Sequence, residues 1–179
     1  MGNEMSPVYE IGVITFADAA AAERLVSSLR DRGAVGMTNE VGIVEHHASG
    51  RFSVHSYTAQ HTKGRNVAEG ALVGALAGAL VLGPFGLIAG IFGGGLVGAS
   101  FGGAPAHDLQ LGDAFVRQLK AALPPGSSAV VIVGEPETVD QLVHEIHSAD
   151  VVTSAEFREP LSDVQVAAVR AALEGDEAT

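Results

Sequence analysis

The sequence predicts an α+β fold, a ferredoxin-like sandwich in the order β-α-β-β then α-β-α-β-α, interrupted by a glycine-zipper helical hairpin. Three observations predict it. Short runs rich in Val, Ile, Tyr and Phe alternate with stretches whose apolar residues recur every three or four positions. An uncharged stretch, Gly70 to Ala106, separates two such sets. Neither set has enough strands for a stable sheet alone, so each is expected to complete the other. The expected units are 1–62 as the first half of the α+β domain, 63–106 as the inserted hairpin, and 107–179 as the second half. The helices are expected on one face of a mostly antiparallel sheet.

Val8 to Phe16 reads as a buried strand. Asp18 can accept hydrogen bonds from the first free amides of a helix carrying Ala21, Ala22, Leu25, Val26 and Leu29, which Gly33 ends. Val41 to His47 and Phe52 to Ala59 read as strands joined by a tight turn over 48–51. Beyond the uncharged stretch, Asp108 to Leu123 has Leu111, Phe115, Leu119 and Leu123 on one helical face, and Pro124-Pro125-Gly126 stops it. Ser128 to Val133 reads as a central strand. Pro136 opens a helix with Val139, Leu142, Val143 and Ile146. Val151 to Phe157 reads as the last strand. Ser162 with Gln165 forms a capping box, and Leu161 with Val166 a staple, for a final helix to Leu173.

The inserted stretch carries the most functional information. Asn66 and Glu69 cap a helix start. Gly70, Gly74 and Gly78 follow at spacings of four, Gly83-Pro84 breaks the helix, and Gly86, Gly90, Gly94, Gly98 and Gly102 repeat the spacing. Residues four apart share a helix face, so each arm presents a groove that another backbone can approach closely. Eight interior glycines cost an isolated hairpin roughly 6–8 kcal/mol of helix stability relative to alanine. Such a segment is helical only where a bilayer or neighbouring helices hold it. Val67 to Leu82 is short for a membrane span, which needs about 20 apolar residues, whereas Pro84 to Ala104 is long enough. Lys63, Arg65, Arg117 and Lys120 flank the segment and put both of its ends on the cytoplasmic side.

Composition excludes other classes. The chain has 179 residues, no cysteine, no tryptophan and a net charge of −11. Thiolate metal sites and disulfides are ruled out, and nucleic acid is not an expected partner because phosphate binding needs a basic patch. The charge is uneven. Through Glu69 there are 6 basic and 8 acidic residues, net −2, and from Asp108 there are 4 and 13, net −9. Met1 to Pro7 shows no basic region followed by an apolar run, so the expected location is cytoplasmic or on the cytoplasmic side of the inner membrane. Gly93, Gly95 and Gly98 match a dinucleotide-binding spacing but lie inside the apolar segment, without the strand that motif requires. Of the seven histidines, His46, His47, His55 and His61 fall near the second and third strands. His144 and His147 share a helix face and, with Glu145 or Asp140, are the only metal candidates; no third ligand is fixed. Ser127-Ser128 leads from a turn into a strand, the reverse of a hydrolase elbow, and reads as turn chemistry. No catalytic residue, cofactor or metal is expected.

Several stretches together resemble a bacterial family, the domain of unknown function 1269, whose members are taken as membrane proteins. They are the apolar strand near Val13, the run Gly70 to Gly78, Gly83-Pro84-Phe85-Gly86-Leu87-Ile88, Asp113 to Leu119, and Leu123 to Ala129. The resemblance covers most of the chain. It implies association with membranes and with stress, and no known catalytic residues. The expected function is that of a non-catalytic, membrane-associated, self-assembling protein, anchored and oligomerised by the hairpin, with a cytoplasmic α+β domain. A soluble oligomeric scaffold or subunit of a larger complex, with hairpins in a shared core, is the first alternative. A small ligand- or metal-binding module is the second.

Overall fold

The computed structural model describes residues 9–34, 40–57 and 112–162. In chain order these form β1 (Tyr9–Phe16), α1 (Ala21–Asp31), β2 (Glu40–His46), β3 (Phe52–Tyr57), α2 (Asp113–Ala122), β4 (Ser127–Gly134), α3 (Pro136–Ser148) and β5 (Ala155–Leu161). The fold is α+β, with one five-stranded sheet in the order β3-β2-β4-β1-β5. Every neighbouring pair is antiparallel. The strands from before and after the insertion alternate, because β4 lies between β1 and β2. The hairpin at 63–106, with its glycines, and the final helix to Leu173 lie outside the described residues.

The uninterrupted apolar runs explain the layering. Along β1, Ile11 and Val13 face one side while Ile14 and Phe16 face the other, and all are at most 1 % exposed. On β4, Ala129, Val131 and Val133 alternate in the same way with Val130 and Ile132. Strands apolar on both faces need cover on both. One face packs against α1 and α3 through Leu25, Val26, Leu29, Val139, Leu142 and Ile146. The other packs against α2 through Phe115, Val116, Leu119 and Leu123. The expectation of helices on one face is thus corrected: α2 supplies a third layer on the back of the sheet.

Other expectations hold or shift locally. Gly50, at φ +80°, makes the 48–51 turn, which the His47 N–H closes on the Arg51 carbonyl at 2.8 Å. α2 begins at Asp113, with Gly112 as its N-cap; the expected start over 108–111 lies outside the described residues. β5 begins at Ala155 and runs to Leu161, which is 4 % exposed within the α2-side core and serves as a strand residue. The Asp18 carboxylate accepts the Ala20 N–H at 2.8 Å, just ahead of α1. The cap on the helix proper comes from Ser128, whose hydroxyl accepts the Ala22 N–H at 3.2 Å and donates to the Asp18 carbonyl at 2.6 Å. Ser127 alone is turn chemistry, donating to the Pro124 carbonyl at 2.6 Å. Ser128 instead ties β4 to the start of α1.

Gly12 marks the closest approach of α3 to the sheet. A Cβ there would lie 2.7 Å from Val139 Cγ1, and Val139 is fully buried. Gly12→Val is expected to lift α3 and cost about 1–3 kcal/mol, the usual range for overpacking. Denaturant melting checks this; an unchanged midpoint contradicts the close contact.

Candidate functional site: the sheet end that carries the insertion

Every chain segment outside the described residues joins the domain at one end of the sheet. β1 starts there, paired as Tyr9 with Leu161, the last residue of β5. β2 starts there at Glu40, opposite Val133. β3 ends there at Tyr57, opposite Val41. The chain returns at Gly112, whose N–H donates to Glu159 Oε1 at 3.2 Å. The insertion therefore leaves one edge strand and returns beside the other. Four strand spacings separate these points, roughly 19 Å.

α2, the first element after the insertion, is tied down at both ends. At its start, the Glu159 carboxylate on β5 meets the Gly112 N–H, where the positive end of the helix dipole favours an anion. At its end, His46 Nδ1 lies 2.7 Å from the Leu123 carbonyl oxygen. A carbonyl only accepts, so Nδ1 carries the proton in this contact. The His46 ring stacks on Phe52 with centroids 4.0 Å apart. The back layer is therefore coupled to β5 at one corner and to the β2–β3 hairpin at the other.

On the α3 side, Arg158 of β5 gathers three carboxylates. It pairs with Glu10 of β1, with Asp140 Oδ1 of α3 at 2.8 Å and with Glu156 Oε1 at 3.1 Å. Burial works against the guanidinium charge, but the hydrogen bonds it donates to Glu156, Glu10 and Asp140 outweigh it and hold the Arg158 pKa above its ordinary value. This cluster joins β1, β5 and α3, an arrangement that positions elements and leaves no free nucleophile. At the opposite end of the sheet, Asp18 is held below the usual carboxylate range by hydrogen bonds from the Arg24 side chain and the Ala20 amide.

The two metal candidates gather no third ligand among the described residues. His144 and His147 are exposed on α3, and His147 Nε2 lies 3.7 Å from Glu156 Oε2. Among the described residues, no group of three or more His, Asp or Glu comes together to hold a metal. A serine–histidine contact that the sequence did not single out joins His47 Nε2 and Ser53 Oγ at 2.5 Å. Glu45 Oε2 approaches the same nitrogen at 3.9 Å. A hydrolytic relay needs the carboxylate on one ring nitrogen and the hydroxyl on the other. Here both meet Nε2, so this contact forms no such relay.

Two open grooves of about 580 and 450 Å3 run along α1, the second shared with the end of α3. Neither includes a histidine. Among the described residues, no helix is long and apolar enough to cross a membrane.

No curated protein and no solved structure matches this chain. A family model does match, over residues 67–174, which takes in the whole uncharged stretch together with α2, β4, α3 and β5. That is more than half of the chain, and the chain therefore belongs to the family described as "Protein of unknown function (DUF1269)".

Proposed function

We propose that this is a non-catalytic, membrane-associated, self-assembling protein, in which segment 63–106 anchors and oligomerises an α+β domain on the cytoplasmic side of the inner membrane. One observation carries this reading: Gly70 to Ala106 holds no charge and eight glycines at four-residue spacing. A bilayer or a helix partner recovers the helix stability those glycines cost. The domain supports the reading by its layout, since both junctions of the segment lie at one end of the sheet. Lys63, Arg65, Arg117 and Lys120 bracket the segment with positive charge.

We read the sheet as a ferredoxin-like sandwich with one added strand. α1 carries the chain from β1 to β2 across β4, and α3 carries it from β4 to β5 across β1. These are two split βαβ units. β3 extends the sheet, and α2 covers its back. A soluble scaffold, with the segments of several copies packed together, is the second reading. The shortness of Val67 to Leu82 favours it, at 16 residues against the roughly 20 of a span.

Gly90→Leu and Gly94→Leu test the packing role. Each fills the expected groove, so the assembly in mild detergent should become smaller or melt earlier. Unchanged size and melting in both variants rejects the glycine face as a contact.

A further inference from the structure

We propose that β3 is a second self-association surface, at which two copies pair edge to edge around Val54 and continue the sheet from one molecule into the next. The proposal rests on the self-assembling part of the proposed function and gives that assembly a contact distinct from the glycine segment.

The hydrogen-bonding direction of β3 follows from its register. The bond from the His47 N–H to the Arg51 carbonyl makes these two residues a hydrogen-bonded pair. Such pairs alternate along an antiparallel ladder, so Glu45 with Ser53, Ile43 with His55 and Val41 with Tyr57 are the bonded pairs between β2 and β3. The backbone N–H and C=O groups of Phe52, Val54 and Ser56 therefore point away from β2. Among the described residues, no strand pairs with that side.

This outward row is self-complementary. Two antiparallel edge strands are related by a two-fold axis normal to the sheet, and facing residues must lie on the same face. Centring the axis on Val54 sets Val54 opposite its own copy and Phe52 opposite Ser56 of the other copy. All three outward residues of both strands are then used, in roughly six hydrogen bonds. Moving the centre to His55 leaves Phe52 without a partner.

Charge separates the two edges of the sheet. β3 has no Asp, Glu, Lys or Arg, so pairing two copies of a chain with net charge −11 brings no like charges together on the strand. The other edge, β5, carries Glu156, Arg158, Glu159 and Pro160. Charges and proline are how edge strands are kept from pairing. The open edge is therefore β3.

The pairing also orients the assembly. Tyr57 lies three residues from the axis, so the two insertions start at opposite ends of the paired strands, roughly 20 Å apart. Both reach one membrane only if the strands lie along its surface.

The chain has no cysteine, so single introduced thiols report the contact directly. Each variant is made in the full chain, purified in mild detergent, oxidised, and resolved without reductant. The Cα atoms of Val54 and its copy would lie about 5.5 Å apart, within disulfide range. Val54→Cys should form a disulfide dimer at least about 10-fold faster than Ser56→Cys, which faces Phe52 and not itself. Mixing Phe52→Cys with Ser56→Cys should give the mixed dimer. Equal rates at Val54 and Ser56, fastest linking at His55→Cys, or no dimer from Val54→Cys each overturn the proposal. Adding Gly94→Leu to Val54→Cys separates the two surfaces. Linking that persists supports an independent strand contact, and linking that vanishes overturns it, while assembly size in the same sample judges the glycine segment.

Discussion

Deleting residues 63–106 is expected to give a protein that stays in solution, melts cooperatively and no longer forms the larger assembly of the full chain. All four ladders of the sheet use only residues on either side of the deletion. Both core clusters are likewise built from described residues outside it. The deletion leaves 58–62 and 107–111 to join Tyr57 to Gly112. Ten extended residues reach about 33 Å, more than the roughly 19 Å between the junctions. A long surface insertion adds little closure entropy, so its loss should change domain stability modestly. Circular dichroism melting and light scattering check both halves. An insoluble or molten product with several linker lengths would show that the segment belongs to the core.

Leu119→Ala should strongly destabilise the domain through the loss of α2 packing. Leu119 is fully buried against the back of the sheet, among Ile11, Val13, Val131 and Leu123. Truncating a buried leucine costs about 2–5 kcal/mol, from lost burial and the cavity left behind. α2 has only 10 residues, so it depends on packing more than on its own helix stability. The expected signature is a melting midpoint lower by roughly 4–20 °C, taking about 2–4 °C per kcal/mol for a chain above 150 residues. If the midpoint moves by no more than a surface substitution would, α2 does not close the back of the sheet.

The elements were largely legible in the residues, and the layering was not. Periodicity marked α1 through Leu25, Val26 and Leu29, and α3 through Val139, Leu142, Val143 and Ile146. The unbroken run Ala129 to Val133 marked a central strand. That same run also announced a sheet covered on both faces. The spacing of Phe115, Leu119 and Leu123 also marks the helix that covers the second face, but spacing along the chain does not say on which side a helix docks. The last strand was misplaced because Val151 and Val152 have the composition of a strand. Val152 is 89 % exposed, and the pairing with β1 uses Ala155 to Leu161 instead.

The ties that fix the layers were hidden for a related reason. Ser128 caps α1 from 106 residues away, Glu159 meets Gly112 from 47 residues away, and Arg158 meets Glu10 from 148 residues away. Local pattern carries no signal for contacts that only the fold creates. Asp18 shows the converse: a residue of the right type beside a helix start was assigned the cap, although a buried serine from another strand holds the helical amide. His144 and His147 share a face, as their spacing requires, yet the fold gives His147 a single carboxylate neighbour and gathers no third ligand among the described residues.

The junctions at one end of the sheet matter most for function, because they decide what the domain can present. If the insertion is anchored, as proposed, the opposite end and the α1–α3 layer would face away from the anchor. From Asp108 on, 13 acidic residues stand against 4 basic ones, a balance that works against phosphate binding. We propose that the uncharged glycine segment holds the protein in a membrane. The most direct test is fractionation of the untagged full chain after lysis, with an alkaline carbonate wash of the pellet. Membrane anchoring requires the protein to remain in the washed pellet and to need detergent for release, while the 63–106 deletion appears in the supernatant. Full-length protein in the supernatant before any wash would contradict anchoring and leave the soluble scaffold as the standing reading.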